Sequence, residues 1–400
     1  MNISSEPLTI RSIVTRYYSS WAAGKRVRRD VRWAASSISR CRTAELGAHV
    51  SRCDCGHVTH IQYNSCRHRS CPQCRGGRRA NWLQKTVAEL LPCDHVHIIF
   101  TVPEELNTLW MFNREAFSER LLKAARQTLE TLLADRKFLG AKPGIISALH
   151  TWGRNLSIHP HVHCLVTAGG VDSEGRFIHS QRKGFLPGPV LNAMFRGKLC
   201  DFLKTAIASG DLVVPRSLTA AKCVSLLNRL GRVRWNVRVQ ERYRHGVSVA
   251  GYLARYMSGG PMSDRRMVSV SDEAVTFRYK DHRDGSQQLM TLTPHDFLSR
   301  WFEHVPPRGL RMIRRSGLYA NSCGDVRKQV REQLAAAHGV AATPPAAVAA
   351  SRVTPLDPEQ CPVCNTCVTV RYVSRPSTVD YAAAVWMSNP VECCTPPPWE

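Results

Sequence analysis

The segment His159-Pro160-His161-Val162-His163 sets imidazoles at alternate positions and runs straight into Cys164-Leu165-Val166-Thr167. In a β-strand, residues two apart point to the same face, so the three histidines project together. Adjacent imidazoles on that face stand about 6 to 7 Å apart along the chain, which lets two ring nitrogens reach one cation. The competing reading is a row of polar residues on a solvated strand. The apolar exit through Leu165 and Val166 argues for an interior strand, where an unpaired imidazole is costly. Proline belongs at a strand's start or edge. Pro160 therefore places the start of the strand at His161, with His161 and His163 as the working pair. A second feature is Tyr252 and Tyr256, which share one face if the segment is helical. Such pairs usually pack in a core. Here Arg255 lies between them and Gly259-Gly260-Pro261 ends the helix, so Tyr256 falls in the last turn and can offer its hydroxyl to a phosphate. Tyrosine is a competent covalent nucleophile.

The third feature is sulfur. Of 16 cysteines, Cys53, Cys55, Cys66, Cys71 and Cys74 crowd together, and Cys361, Cys364 and Cys367 form a second group. Without a secretory signal, such clusters read as metal ligands. Cys71-Pro72-Gln73-Cys74 has the form of a zinc knuckle, and a tetrahedral site needs two more ligands. Cys53 and Cys55 are the natural choice. Their CxC spacing chelates less comfortably than CxxC, so Cys66, Cys41 or His57 can replace one member. Arg67, Arg69, Arg75, Arg78 and Arg79 lie within or just after the knuckle, where a folded site fixes them against phosphates. Tyr63 and Trp82 can stack on unpaired bases or simply pack in a core. Cys361-Pro362-Val363-Cys364 reads as an incomplete second zinc ribbon, its partners undecided among Cys367 and Cys393-Cys394.

These groups need elements to hold them. HVHIIFTVP alternates Val96, Ile98, Phe100 and Val102 as a strand does. Residues 145–152 and 161–167 read as strands joined through Arg154-Asn155. Residues 233–240 read as a half-buried strand with a basic outer face. Residues 115–135 carry a helical apolar stripe; 190–208, 248–260 and 296–305 are also helical, and 267–280 is a hairpin around Asp272-Glu273. Residues 335–359 are Ala/Pro-rich, like a linker. The pattern predicts an α+β fold around a mostly antiparallel sheet.

The 400 residues carry 55 Lys+Arg against 31 Asp+Glu, a formal charge of +24. That field favours a polyanion, nucleic acid before membrane. No apolar run is long enough to span a bilayer and the N-terminus lacks a signal-peptide core, which points to a cytoplasmic, nucleoid-associated protein without a membrane partner.

The chain resembles the rolling-circle insertion-sequence transposases of the HUH endonuclease superfamily in their two-tyrosine form. The likeness rests on His161-Val162-His163, on Tyr252 and Tyr256 in YLARY, on YNSCRHRSCPQCRGGRRANWL and on LHTWGRNLSIHPHVHCLVTAGG. It departs in the CxC pair, where relatives usually have CxxC, and at His68 and Ser70. The resemblance implies an HUH-type antiparallel sheet flanked by helices, preceded by a small zinc-binding domain. It also implies residues 1–92 as a zinc- and DNA-binding domain, 93–325 as the nuclease and strand-transfer domain, and 326–400 as linker and tail. By the same likeness His161 and His163 hold Mg²⁺ or Mn²⁺. The third ligand stays open among His159, His97 and a residue near the tyrosine helix. Cys53, Cys55, Cys71 and Cys74 hold Zn²⁺, with Cys66 as the alternative. Tyr252 and Tyr256 attack single-stranded DNA at the element's ends and join it to target DNA, with Arg255 and the knuckle arginines on the phosphates. Two rivals are a zinc hydrolase, weakened by the lack of an HExxH motif, and a non-catalytic zinc-dependent DNA-binding protein.

Overall fold

The computed structural model describes residues 8–181, 185–216, 218–244, 247–254, 260–281, 284–338, 361, 363–364 and 368–373. The chain opens with helices α1 (Ile10–Ala22) and α2 (Arg29–Ser39). Thr9 caps α1 by accepting from the Ser12 amide, and the Ser12 side chain bonds back to the Thr9 amide, so both orphan donors are met locally. Strands β1 (Ala48–Cys53) and β2 (Val58–Tyr63) form a hairpin, followed by α3 (Arg75–Glu89).

The central sheet is built from β3 (His95–Thr101), β4 (Lys142–Trp152), β5 (Ile158–Val171) and later strands, with α4 (Asn107–Phe112) and α5 (Arg114–Ala134) between β3 and β4. After β5 come β6 (Phe177–His179), α6 (Gly188–Ala208), α7 (Ala220–Leu230), β7 (Val237–Tyr243) and α8 (Val247–Ala254). Then follow β8 (Met267–Val270), β9 (Val275–Lys280), β10 (Gln287–Leu292), α9 (Pro294–Glu303), β11 (Ile313–Gly317), α10 (Gly324–His338) and β12 (Val368–Val373). The strand order is β11-β4-β5-β3-β7, with β6 also on β5, and these pairings are antiparallel. This is the α+β antiparallel architecture expected from the sequence. Among the described residues, no helix is long and apolar enough to cross a membrane.

Period-two alternation divides the sheet's faces. Val96, Ile98, Phe100, Val162, Cys164 and Val166 pack under α5 and α6, where the predicted stripe of Phe117, Leu121, Leu129 and Leu133 is buried. The opposite face offers Ile146, Ala148 and Leu165 to α3, α8 and α10. A third core joins α1 and α2 to β8, β9 and α9 through Ile13, Trp21, Ile38, Phe277, Phe297 and Trp301. That core crosses the boundary expected at residue 92: the N-terminal helices bury their apolar faces against residues 262–305. Two expected elements are shifted. The strand expected over 233–240 begins at Val237, because the buried Trp235 is held off the sheet by Asn192 and Leu230. The predicted linker is helical as far as His338, and the rest of it lies outside the described residues, as do Cys367 and Cys393-Cys394.

Candidate active site and metal centres

The β4–β5 hairpin turns through Arg154, Asn155 and Leu156, closed by Gly153 and Ser157. Leu156 takes a left-handed φ of 65°, a conformation that costs a branched residue about 1–2 kcal/mol. Its burial, at 1% exposure, and a hydrogen bond from His304 Nε2 to its carbonyl (3.1 Å) hold it there. Beyond the turn, Trp152 pairs with Ile158, but His150 pairs with His161, so the register slips by one residue between them. The slip leaves one extra residue in β5, a β-bulge in which His159 and Pro160 together oppose Thr151, and it brings His150 opposite His161, on the face of His161 and His163. Pro160 lies inside β5, not before it as expected; it sits at this bulge, where a residue without an N–H is tolerated.

His150, His161 and His163 offer one nitrogen each within 4.8 Å of one another. Their ring centroids lie 5.0 Å (150–161), 4.1 Å (150–163) and 4.8 Å (161–163) apart. His161 Nδ1–H donates to the His159 carbonyl at 2.6 Å, which leaves Nε2 as the lone-pair nitrogen. His163 Nδ1 lies 2.8 Å from His97 Nε2. If His163 donates in that pair, its Nε2 is likewise the basic atom. Support of one ring nitrogen so that the other can bind a cation is the usual outer-shell arrangement of metal-binding histidines. Burial holds His150 and His163 well below the ordinary imidazole value, with the neighbouring histidines adding to it. It pushes His161 and His97 down to about 4. All four are thus neutral near pH 7, the state a metal needs. Of the third-ligand candidates, His97 lies behind His163, and His159 is exposed, its carbonyl accepting from His161 and its ring centroid 4.9 Å from that of His161. His150 was missed. Its signal was its place in the strand paired with the histidine strand, but the bulge was not legible.

Helix α8 packs on this same face, burying Val249, Ala250 and Leu253 with Leu165 and Ala148. Tyr252 belongs to α8; its side chain, Arg255 and Tyr256 lie outside the described residues. The chain returns at Gly260, whose φ is +68° and where a Cβ would stand 2.8 Å from the Trp301 ring and 3.0 Å from the Ser70 carbonyl. The exit from the tyrosine segment is thereby seated against the cysteine knuckle.

The knuckle differs from its expected composition. Cys71 and Cys74 gather with Cys41 and Cys66, all four sulfurs within 4.8 Å. Cys41 lies 3.1 Å and Cys66 3.5 Å from Cys74 Sγ. These approach the edge of about 3.8 Å that a tetrahedral ZnS₄ site with 2.3 Å bonds requires. Cys41 ends the turn after α2, Cys66 follows β2, and Cys74 opens α3. Arg67 takes a φ of 54°, and the His68 amide donates to Cys66 Sγ at 3.4 Å. Hydrogen bonds from Cys41, Cys66 and Cys71 drive the Cys74 thiol far down, towards a thiolate. Cys53 goes elsewhere, beside His57, Cys361 and Cys364. Cys55 enters neither described group. The short CxC spacing is the reason: Gly56 N–H bonds to the Cys53 carbonyl at 2.9 Å, placing Asp54 and Cys55 at the corners of a turn, while His57 comes back beside Cys53.

Arg67, Arg69 and Arg78 line an open groove of about 1530 Å³ with Arg308, Arg311, Arg315, Trp33 and Trp82, among others. Arg67 and Arg78 are exposed and Arg79 half-buried, whereas the Arg75 side chain lies outside the described residues. Arg69 donates to the carbonyls of Pro307 and Leu310, so it ties the knuckle to the groove wall. Trp33, 53% exposed, lies against His68 with centroids 4.5 Å apart.

A family profile described as "Transposase zinc-binding domain" matches residues 13–102, and one described as "Putative transposase" matches residues 144–326. "Putative transposase y4qJ" of Sinorhizobium fredii (strain NBRC 101917 / NGR234) is 38% identical, over 72% of this chain and 73% of that protein. "Transposase for insertion sequence element IS801" of Pseudomonas savastanoi pv. phaseolicola is 32% identical, over 74% of this chain and 72% of that protein. Among solved structures, conjugative relaxase TrwC with oriT DNA is similar at a TM-score of 0.22 and 12% identity, over 40% of this chain and 72% of that one. The N-terminal nuclease domain of the minute virus of mice non-structural protein 1 is similar at 0.24 and 14%, over 64% and 99%. Scores that low establish neither a shared site nor a shared mechanism. The two curated relatives do establish the family: the chain belongs to the insertion-sequence transposases.

Proposed function

We propose that this transposase nicks single-stranded DNA at the ends of its mobile element with a tyrosine of the 252/256 pair, beside a divalent ion held by His150, His161 and His163. The observation that carries the reading is the shared face: the helix bearing Tyr252 packs on the same side of the sheet as the three imidazoles. When bound, the ion polarises the scissile phosphate and stabilises charge on the departing 3′ oxygen. His97 and the His159 carbonyl keep the ligand nitrogens in place. The tyrosine oxygen attacks phosphorus, the phosphorus–O3′ bond breaks, the phenol proton leaves, and the 3′ oxygen ends as a hydroxyl. The 5′-phosphotyrosine retains the phosphodiester's free energy, so strand transfer to a target 3′ hydroxyl needs no nucleotide cofactor. With two tyrosines, one can hold the donor end while the other opens a second strand.

Three nitrogen donors suit Mn²⁺ better than the oxygen-preferring Mg²⁺, so nicking is expected to be faster in Mn²⁺. Cys41, Cys66, Cys71 and Cys74 would hold Zn²⁺, which would serve a structural role. The arginine groove, with Trp33 on its wall, offers phosphates a track and bases a stacking surface.

The test is a single-stranded oligonucleotide carrying the element's end, incubated with the protein and Mn²⁺. A covalent adduct on the peptide containing Tyr252 and Tyr256, read by mass spectrometry, is expected. It should vanish in Tyr252→Phe with Tyr256→Phe. An adduct that survives in that double variant overturns the nucleophile assignment. Binding without any adduct in the parent protein favours the non-catalytic alternative.

A further inference from the structure

We infer a second structural zinc site, made by Cys53, His57, Cys361 and Cys364, that fastens the C-terminal segment onto the N-terminal hairpin. The four ligand atoms lie within 4.8 Å of one another. His57 Nδ1 is 3.1 Å from Cys53 Sγ and 3.9 Å from Cys361 Sγ, and Cys364 Sγ is 3.4 Å from Cys53 Sγ. Three sulfurs and one imidazole nitrogen form a standard closed zinc donor set. Cys53, His57 and Cys361 are at most 4% exposed, so the site is shielded as a structural metal is. Its two halves have the local form of knuckles. The His57 amide donates to Cys53 Sγ at 3.3 Å, and the Val363 amide to Cys361 Sγ at 3.4 Å.

A second observation is independent of the ligands. Strand β12 pairs antiparallel with β1 from Ala48↔Val373 to Cys53↔Val368, which places the strand's first residue beside the ligand Cys53. A two-stranded hairpin is marginal alone, and a third strand with a metal clip is the kind of addition that stabilises it. The clip joins residues 304 apart in sequence, where closing a long loop gives a cross-link its greatest leverage on the unfolded chain. The zinc-binding family match ends at residue 102, so Cys361 and Cys364 lie outside it. The inference does not rest on the nuclease reading.

The experiment counts zinc in the purified full-length chain by elemental mass spectrometry. Cys361→Ser with Cys364→Ser should lose one equivalent of zinc per chain, and Cys55→Ser none. The double variant should also expose the C-terminal segment to limited proteolysis. His57→Cys should keep the equivalent, and in Co²⁺-substituted protein its visible bands should shift towards a four-thiolate site. That variant separates ligand loss from misfolding, because it retains the donor count. Full zinc content in Cys361→Ser with Cys364→Ser, or an unchanged Co²⁺ spectrum in His57→Cys, overturns the site.

Discussion

The three imidazoles of the nuclease face come from two paired strands of the central sheet, whereas the four sulfurs of the knuckle come from a helix end, a loop and a helix start. The histidines stand on a surface that the apolar core builds in any case. β4 and β5 are buried on both faces, and their ladder exists whether or not a cation binds. The sulfurs have no such ladder between them. Cys41, Cys66, Cys71 and Cys74 are carried by turns whose order depends on what joins them, and Cys41, Cys71 and Cys74 sit in the core shared by α1, α2 and α9. One site is an instrument mounted on a finished frame; the other is part of the frame. The contrast predicts that ligand loss will separate activity from stability at the first site and combine them at the second.

The largest effect is expected at the knuckle. Cys71→Ser with Cys74→Ser should release zinc and lower the melting temperature by more than about 10 °C in calorimetry, since structural zinc contributes on the order of 10 kcal/mol to folding. A small shift there would place the sulfurs outside the frame and break the comparison. His150→Ala should reduce nicking about 100-fold or more, with a melting temperature changed by only a few degrees; a collapse like that of the cysteine variant would show that the strands need their metal. His97→Ala should raise the Mn²⁺ concentration for half-maximal nicking about 10- to 100-fold, with single-strand binding unchanged.

The smallest effect is that of pH on the metal-free protein. His161 and His97 are pushed down to about 4, and His150 and His163 are also lowered. Unfolded histidines take up protons near 6.5, while folded His161 and His97 do not until about 4, and folded His150 and His163 resist protonation well below the ordinary value. Their contribution is therefore present above pH 6.5 and lost as the pH falls from 6.5 towards 4. The melting temperature should fall by about 5 °C between pH 7 and pH 5 and stay level from pH 7 to 8. A flat profile across the acid range would mean that these imidazoles are already charged, and so not poised to bind a cation.

Much of this was readable from local pattern. Strand periodicity sufficed to put His161 and His163 on one face, and the helical stripe of residues 115–135 matches α5. The knuckle at Cys71 and Cys74 was recognisable from its two-residue spacing. His150 was not, and Cys41 and Cys66 were legible only as alternatives to the CxC pair. His150 depends on a bulge that moves one residue across the sheet. Cys41 and Cys66 join the knuckle through a hairpin and a helix end brought together by packing. Arg69 looked like a phosphate contact until its carbonyl partners were visible.

By itself, then, the order of residues settled the chemistry available: imidazoles at alternate positions, tyrosines one turn apart and thiols in close pairs, because those properties follow from the repeat lengths of strand and helix. Only the tertiary structure decided which of these groups stand close enough to share an ion. Grouping depends on strand register and on which segments pack side by side, and both are set by burial between residues far apart in the chain. The separation of Cys53 from Cys74, and its meeting with Cys361, is that decision in its plainest form.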